Sequence, residues 1–151
     1  MISLIGKNLT AGYGGVDIIN NIHLSVKEGE ITVIVGPNGA GKSTVMKSLL
    51  GMLNLTEGNV IFSDNEITQM LPQDRVKLGI AFVPQNQNVF TGMTVEENLE
   101  MGGFIRKNGI KKTIQQVYEL FPVLNEKKLQ MAENLSGGQR QQLAFGRALM
   151  T

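Results

Sequence analysis

Ile31-Thr32-Val33-Ile34-Val35-Gly36-Pro37-Asn38-Gly39-Ala40-Gly41-Lys42-Ser43-Thr44 is the stretch on which the fold class turns. Ile31 to Val35 is short, apolar and β-branched, and reads as a buried strand. Val45-Met46-Lys47-Ser48-Leu49-Leu50 continues as a helix. Between them Gly36 to Thr44 matches G-x-x-x-x-G-K-[ST] in full. Gly36, Gly39 and Gly41 let the loop bend, so that backbone N–H groups can close around phosphate oxygens. Those donors and the positive end of the following helix make an anion site. Lys42 would reach the β- and γ-phosphates, and the Ser43 hydroxyl would bind Mg²⁺. The pattern in this strand-then-helix setting implies a nucleoside-triphosphate site.

A second stretch, Leu135-Ser136-Gly137-Gly138-Gln139, stands before a helix-forming segment, Arg140 to Met150. Ser136 can cap that helix, and Gly137 and Gly138 leave its first N–H groups open. Alone, such a stretch reads most simply as a helix cap. Together with a phosphate loop, it suggests one anionic ligand held from two sides, or two ligands.

Taken with Val83-Pro84-Gln85, these motifs resemble the Walker A motif, signature motif and Q-loop of ABC-type ATPases. The likeness runs from about Leu4 to Thr151. It implies an α/β fold: a P-loop core with an N-terminal antiparallel β subdomain and a helical subdomain. The expected division is 1–94 for the β-rich and phosphate-loop part, 95–135 for a helical lobe and 136–151 for the signature helix. The resemblance also implies that Tyr13, in Ala11-Gly12-Tyr13-Gly14-Gly15, stacks on adenine; a half-exposed tyrosine in a turn is the plainer alternative. It implies ATP and Mg²⁺ as ligands, with Ser43 and Gln85 on the metal. A second ATPase subunit, identical or not, would supply Leu135–Gln139 to the nucleotide held by Gly36–Thr44.

Composition sets wider limits. Apolar residues make up 42% of the chain and charged residues 18%, as in a globular domain. The net charge of +1 gives no electrostatic case for nucleic acid. The absence of cysteine excludes disulfides and thiolate metal sites. No apolar run reaches the roughly 18 residues that suggest a membrane helix, and the first residues do not resemble a signal peptide. A cytosolic polypeptide is expected, meeting the membrane only through a partner.

Local patterns complete the outline. Ile22, Leu24 and Val26 alternate with polar residues on a strand. Asn59 to Phe62 reads as a strand between turns, Pro72 to Leu78 as a short helix ending at Gly79, and Ile80 to Val83 as another core strand. Thr94-Val95-Glu96-Glu97 is a capping box. Ile110, Ile114, Val117, Tyr118 and Phe121 form one helical face that Pro122 ends.

ABC ATPases carry an Asp and a Glu on a strand just after the signature helix, and a later His. These 151 residues hold no match. Asp64 follows an apolar run but reads as a turn, and His23, the one histidine, precedes the phosphate loop. The sequence therefore reads as a fragment of a longer ATPase, inactive alone. Without the neighbouring strand, Ile31–Val35 is expected to expose unpaired backbone and apolar side chains.

The spacing of Lys42 and Ser136 excludes long coiled-coil insertions and resembles that of transporter subunits. Tyr13-Gly14-Gly15 with Ile18-Ile19, Gly79 to Gln85, and Asn88 to Leu99 resemble the branched-chain amino-acid import ATPases. Many of those have Glu where this chain has Gln85, and urea, amide and lipopolysaccharide transporters share much of this segment. Transmembrane permease subunits and, indirectly, a solute-binding protein are the implied partners, at the cytoplasmic face of the membrane. Two alternatives are a translation-factor type of ABC protein and a short form that binds nucleotide without hydrolysis.

Overall fold

A computed structural model describes residues 3–86 and 88–151. Ile2, expected in the first strand region, and Gln87, in the segment after Gln85, lie outside the described residues. The chain divides into two compact units, Met1–Leu78 and Gly79–Thr151.

In the first unit, β1 (Ser3–Tyr13) and β2 (Val16–Lys27) pair antiparallel, with Tyr13 opposite Val16. Gly14 and Gly15 make the connection at φ 59° and 81°. Positive φ at both central residues matches the right-handed twist of a hairpin and favours glycine there. β3 (Glu57–Phe62) pairs with β1, and β4 (Asn65–Glu66) with β3, giving the order β2-β1-β3-β4. Ile22, Leu24 and Val26 are half-buried and their neighbours exposed, as the alternation predicts. α1 (Lys42–Leu49) lies against β1, and α2 (Pro72–Lys77) follows β4. Leu9, Ala11, Ile19, Val45, Leu49, Val60 and Ile67 are buried in this unit.

The second unit is helical: α3 (Val95–Gly102), α4 (Ile110–Leu120), α5 (Pro122–Glu126) and α6 (Gly137–Leu149). The capping box of α3 forms as expected, with Glu97 N–H donating to Thr94 Oγ1 (3.2 Å) and Thr94 N–H to Glu97 Oε2 (2.8 Å). Val95, Leu99, Ile114, Val117, Tyr118, Leu124, Leu143 and Met150 close one core. Gly146 lets α6 approach closely: a Cβ there would stand 2.9 Å from Val117 Cγ1 and 3.0 Å from Leu99 Cδ2.

Two expected strands are not formed. Residues 31–35 and 80–83 lie outside every strand of the described residues. Ile31 is 94% exposed and Val35 83%, against the buried strand anticipated. The physical reason is pairing. A strand is stabilised by a neighbour's N–H and C=O groups, and among the described residues neither segment pairs with any strand of the sheet. The uncovered apolar surface anticipated for Ile31–Val35 is what the structure has. In the second unit, Ala81 lines an open groove of about 450 Å³ with Leu120, Phe121, Phe145 and Leu149.

Candidate nucleotide-binding site

The phosphate loop is built by backbone conformation. Gly39 and Gly41 take φ of 84° and 87°, a region costly for residues with a Cβ. Gly41 is also sterically required, since a Cβ there would fall 2.6 Å from Ile19 Cγ2. It is the N-cap of α1 and gives that helix no side-chain acceptor. The first turn of α1 contains no acidic residue. The start of α1 therefore combines a positive helix end with N–H groups that no capping side chain covers.

Lys42 sits over this loop. Its Nζ donates to Gly36 O at 2.8 Å and to Pro37 O at 2.7 Å. An ammonium has three donors, so this arrangement holds the charge at the loop mouth with a further donor to offer. Ser43 is exposed on the first turn, and Thr44, next to it, is buried. Asn38 and Ala40 form the turn between, where Ala40 N–H donates to Pro37 O (3.3 Å). Hydroxyl and amide oxygens suit Mg²⁺, which keeps several waters and takes phosphate oxygens as ligands. Among the described residues no group of three His, Cys, Asp or Glu could hold a metal.

Tyr13, at the hairpin end of β1, is in the same unit and 48% exposed. Lys47, in the last turn of α1, places Nζ 3.3 Å from its hydroxyl and 5.6 Å from its ring centroid.

One residue of this unit escaped the sequence reading. Arg75 is 1% exposed and has no carboxylate partner among the described residues. It donates to Leu49 O (2.6 Å) and Ser48 O (3.3 Å) through Nη1, to Thr68 O (2.8 Å) through Nη2 and to Met70 O (3.0 Å) through Nε. It thereby gathers the carbonyls at the C-terminal end of α1, the negative end of that helix. Burial lowers its pKa from the usual value. Gly51, at φ 70°, leaves it room: a Cβ there would lie 2.8 Å from Arg75 Nε. A basic residue in a short helix gives no sequence signal that it will be buried.

The other predicted site residues belong to the second unit. Gln85 is exposed on a bend. The segment after it is fastened by Asn98, which is fully buried and exchanges hydrogen bonds with Phe90: Phe90 N–H to Oδ1 (2.8 Å) and Nδ2 to Phe90 O (2.9 Å). Arg147, on α6, donates to Asn88 O (2.6 Å), and its guanidinium lies 4.3 Å from the Phe90 ring centroid. Burial lowers the pKa of Arg147 as well. Both residues went unnoticed in the sequence, since their partners are carbonyls and a ring brought together by folding.

The signature stretch forms the start of α6. Ser136 is the N-cap, its hydroxyl accepting from Gln139 N–H (3.3 Å) while Gln139 Oε1 accepts from Ser136 N–H (3.1 Å). The helix begins at Gly137, three residues before the expected Arg140, because this reciprocal pair closes the first turn there. Gly137 and Gly138 are exposed, and a Cβ on either would meet nothing within 4 Å. Leu135 is buried and anchors the cap. Thus Tyr13, Gly36–Thr44 and Lys47 are built into one unit, and Gln85 and Leu135–Gln139 into the other.

Comparison with known proteins agrees with this geometry. The ABC transporter family profile matches residues 19–151. The chain is 42% identical to the probable branched-chain amino acid transport ATP-binding protein LivF of Archaeoglobus fulgidus, over 94% of this chain and 61% of that protein. It is 40% identical to the high-affinity branched-chain amino acid transport ATP-binding protein BraG of Pseudomonas aeruginosa, over 92% and 60%. An identity of 40% is also found with the sn-glycerol-3-phosphate import ATP-binding protein UgpC of Escherichia coli K12, over 91% and 38%. The chain thus spans about three fifths or less of the length of these relatives. Among solved structures, a nucleotide-free ATP-binding cassette from an ABC transporter superposes with a TM-score of 0.85 at 30% identity, covering 99% of this chain and 65% of that one. A dimeric bacterial ABC transporter cassette gives 0.81 at 28% identity, covering 97% and 69%. Resting on the phosphate loop, the capped glycine-rich helix start and these matches, the conclusion is that the chain belongs to the ABC transporter family, as an ATP-binding cassette.

Proposed function

We propose that Gly36–Thr44 seats the phosphates of ATP and that the chain supplies the nucleotide-binding part of a transporter's ATP-binding subunit. The observation that carries this reading is the start of α1, where no side chain caps the helix and Lys42 holds its charge over the loop. Loop N–H groups and Lys42 would bind the phosphates and Tyr13 the adenine. Ser43 would hold Mg²⁺ with Gln85 as a second protein ligand. The metal's role when bound is to neutralise phosphate charge during phosphoryl transfer.

Hydrolysis needs a group to position water, and the loop of this chain supplies none. On this reading these 151 residues bind nucleotide with little turnover by themselves. Two cassettes related by a two-fold axis would each present Ser136, Gly137 and Gly138 to the other's nucleotide. The likeness to a dimeric cassette supports that arrangement. Gln85 and the segment to Thr94 would relay the state of the nucleotide to permease subunits at the cytoplasmic face of the membrane, with a solute-binding protein acting through them. Branched-chain amino acids are the favoured cargo, because two relatives carry that description over more than nine tenths of this chain. The resemblance to a glycerol-phosphate import subunit is the reason cargo must be tested directly.

The test is Lys42→Ala in the intact ATPase. Hydrolysis should fall by several orders of magnitude, and adenine-nucleotide binding by less, since the backbone cradle remains. Wild-type turnover in this variant would remove the loop from the mechanism. In the assembled transporter, a leucine-loaded binding protein should stimulate hydrolysis. Stimulation by glycerol 3-phosphate instead would reassign the cargo.

A further inference from the structure

An exposed tyrosine is a poor platform for a flat ligand unless something holds its ring. Tyr13 ends β1 immediately before the two-glycine turn and is 48% exposed. A ring free to swing loses conformational entropy when a base stacks on it. The only side-chain partner the structure gives Tyr13 among the described residues is Lys47. A nitrogen 3.3 Å from the hydroxyl yet 5.6 Å from the centroid stands off the hydroxyl edge rather than above the ring centre. It can tether the ring without covering either face. Lys47 is itself favourably placed, because a cation in the last turn of α1 complements the negative end of that helix. α1 carries Lys42 and Ser43 at its start and Lys47 near its end, and the helix lies against β1. One rigid element would thus fix both the phosphate seat and the attitude of the base platform.

We propose that Lys47 is a positioning residue for nucleotide binding: it anchors the Tyr13 hydroxyl so that the ring is oriented to stack on the purine of ATP. This rests on the reading of Tyr13 as the base platform. The contribution concerns the base alone, so it should be present for ATP and absent for inorganic tripolyphosphate, which offers the phosphates and no ring.

The experiment compares the affinities of ATP and tripolyphosphate for the full chain by competition against a fluorescent nucleotide, with thermal unfolding recorded for each variant. Lys47→Met should weaken ATP about three-fold, the size of one ordinary net hydrogen bond, and leave tripolyphosphate unchanged. Tyr13→Phe, which removes the acceptor and keeps the ring, should give the same loss. The double variant should add nothing further, and Lys47→Arg should restore most of the affinity. The chain has no tryptophan, and Tyr118 is its only other tyrosine. In a Tyr118→Phe background, tyrosine emission therefore reports Tyr13 alone, and its anisotropy should fall in Lys47→Met. Equal weakening of ATP and tripolyphosphate would overturn the proposal by making Lys47 a phosphate charge. Unchanged ATP affinity in both Lys47→Met and Tyr13→Phe would overturn it too, while a loss in Tyr13→Ala alone would leave the platform reading standing. If Tyr13→Ala also binds ATP like the wild type, the platform reading falls as well.

Discussion

The starts of α1 and α6 are both glycine-rich, and they are finished in opposite ways. At α6 the chain completes its own cap: Ser136 and Gln139 satisfy each other's N–H groups, and buried Leu135 anchors the turn. At α1 the N-cap is a left-handed glycine with no side-chain acceptor, followed by a lysine turned back onto the loop carbonyls. Four N–H groups at any helix start need partners. Where a side chain provides one, the helix end stands as a structural feature in its own right. Where the chain withholds one and adds a cation, an external anion is the natural complement. The difference teaches that a glycine-rich helix start is informative through what caps it. On the function proposed above, the start of α1 is the primary phosphate seat. α6 offers only the exposed N–H groups of Gly137 and Gly138 as a secondary contact.

Altering the cap of α1 should have the largest effect. Gly41→Val places a β-branched residue at φ 87° and a Cβ 2.6 Å from Ile19 Cγ2. Destabilisation of about 3 kcal/mol is expected from strain and overpacking together, read from urea denaturation, with loss of ATP binding. A near-wild-type midpoint would show that the loop can adopt another path. The opposite end of the same helix comes next. Arg75→Met leaves the carbonyls of Leu49, Thr68 and Met70 without their donors, at a cost of about 2–3 kcal/mol. The readout is the same denaturation midpoint, and ATP affinity should weaken as α1 loosens.

Ser136→Ala tests the other side of the comparison. Loss of one N-cap should cost about 1 kcal/mol and leave ATP affinity of the chain unchanged, since α1 carries the seat. A fall in affinity as large as that of Lys42→Ala would erase the distinction between the two helix starts.

The smallest effect lies in the core on which α6 packs. The Tyr118 hydroxyl is buried without a hydrogen-bond partner among the described residues, and its pKa is pushed up to about 12, first by desolvation and then by the nearby charges of Glu96 and Glu100. The folded state therefore resists ionisation more than the unfolded chain, whose tyrosine titrates near 10. This contribution is fully present below pH 10 and is lost as pH rises from 10 towards 12. Stability should drop by about 1 kcal/mol between pH 9 and 11. Tyr118→Phe should remove that slope and, because no hydrogen bond is lost, leave stability at pH 7 close to wild type. A slope that persists in the phenylalanine variant would assign it to another group.

Much of this was legible because it is local. The Ile22–Leu24–Val26 alternation, the Thr94 capping box, the α4 face and its stop at Pro122 each depend on residues a few positions apart. The bend of the Gly36–Thr44 loop was legible for the same reason, since it rests on glycines two or three positions apart. Arg75, Asn98 and Arg147 were not, because each is held by carbonyls or a ring assembled from distant segments. Residues 31–35 and 80–83 show the complementary error. Their composition is that of strands, but a strand also requires a partner, and composition does not say whether one is there.

The most direct test of the claim that α1 begins at a phosphate seat is equilibrium binding of ATP, ADP, AMP and adenosine to the chain and to its Lys42→Ala variant. Affinity should depend on the β-phosphate: ATP and ADP bound, AMP and adenosine at least about ten-fold weaker, each charge-assisted contact being worth some 1.5–3 kcal/mol. Lys42→Ala should remove most of that difference. Equal affinity for all four ligands, or an unchanged preference in Lys42→Ala, would contradict it.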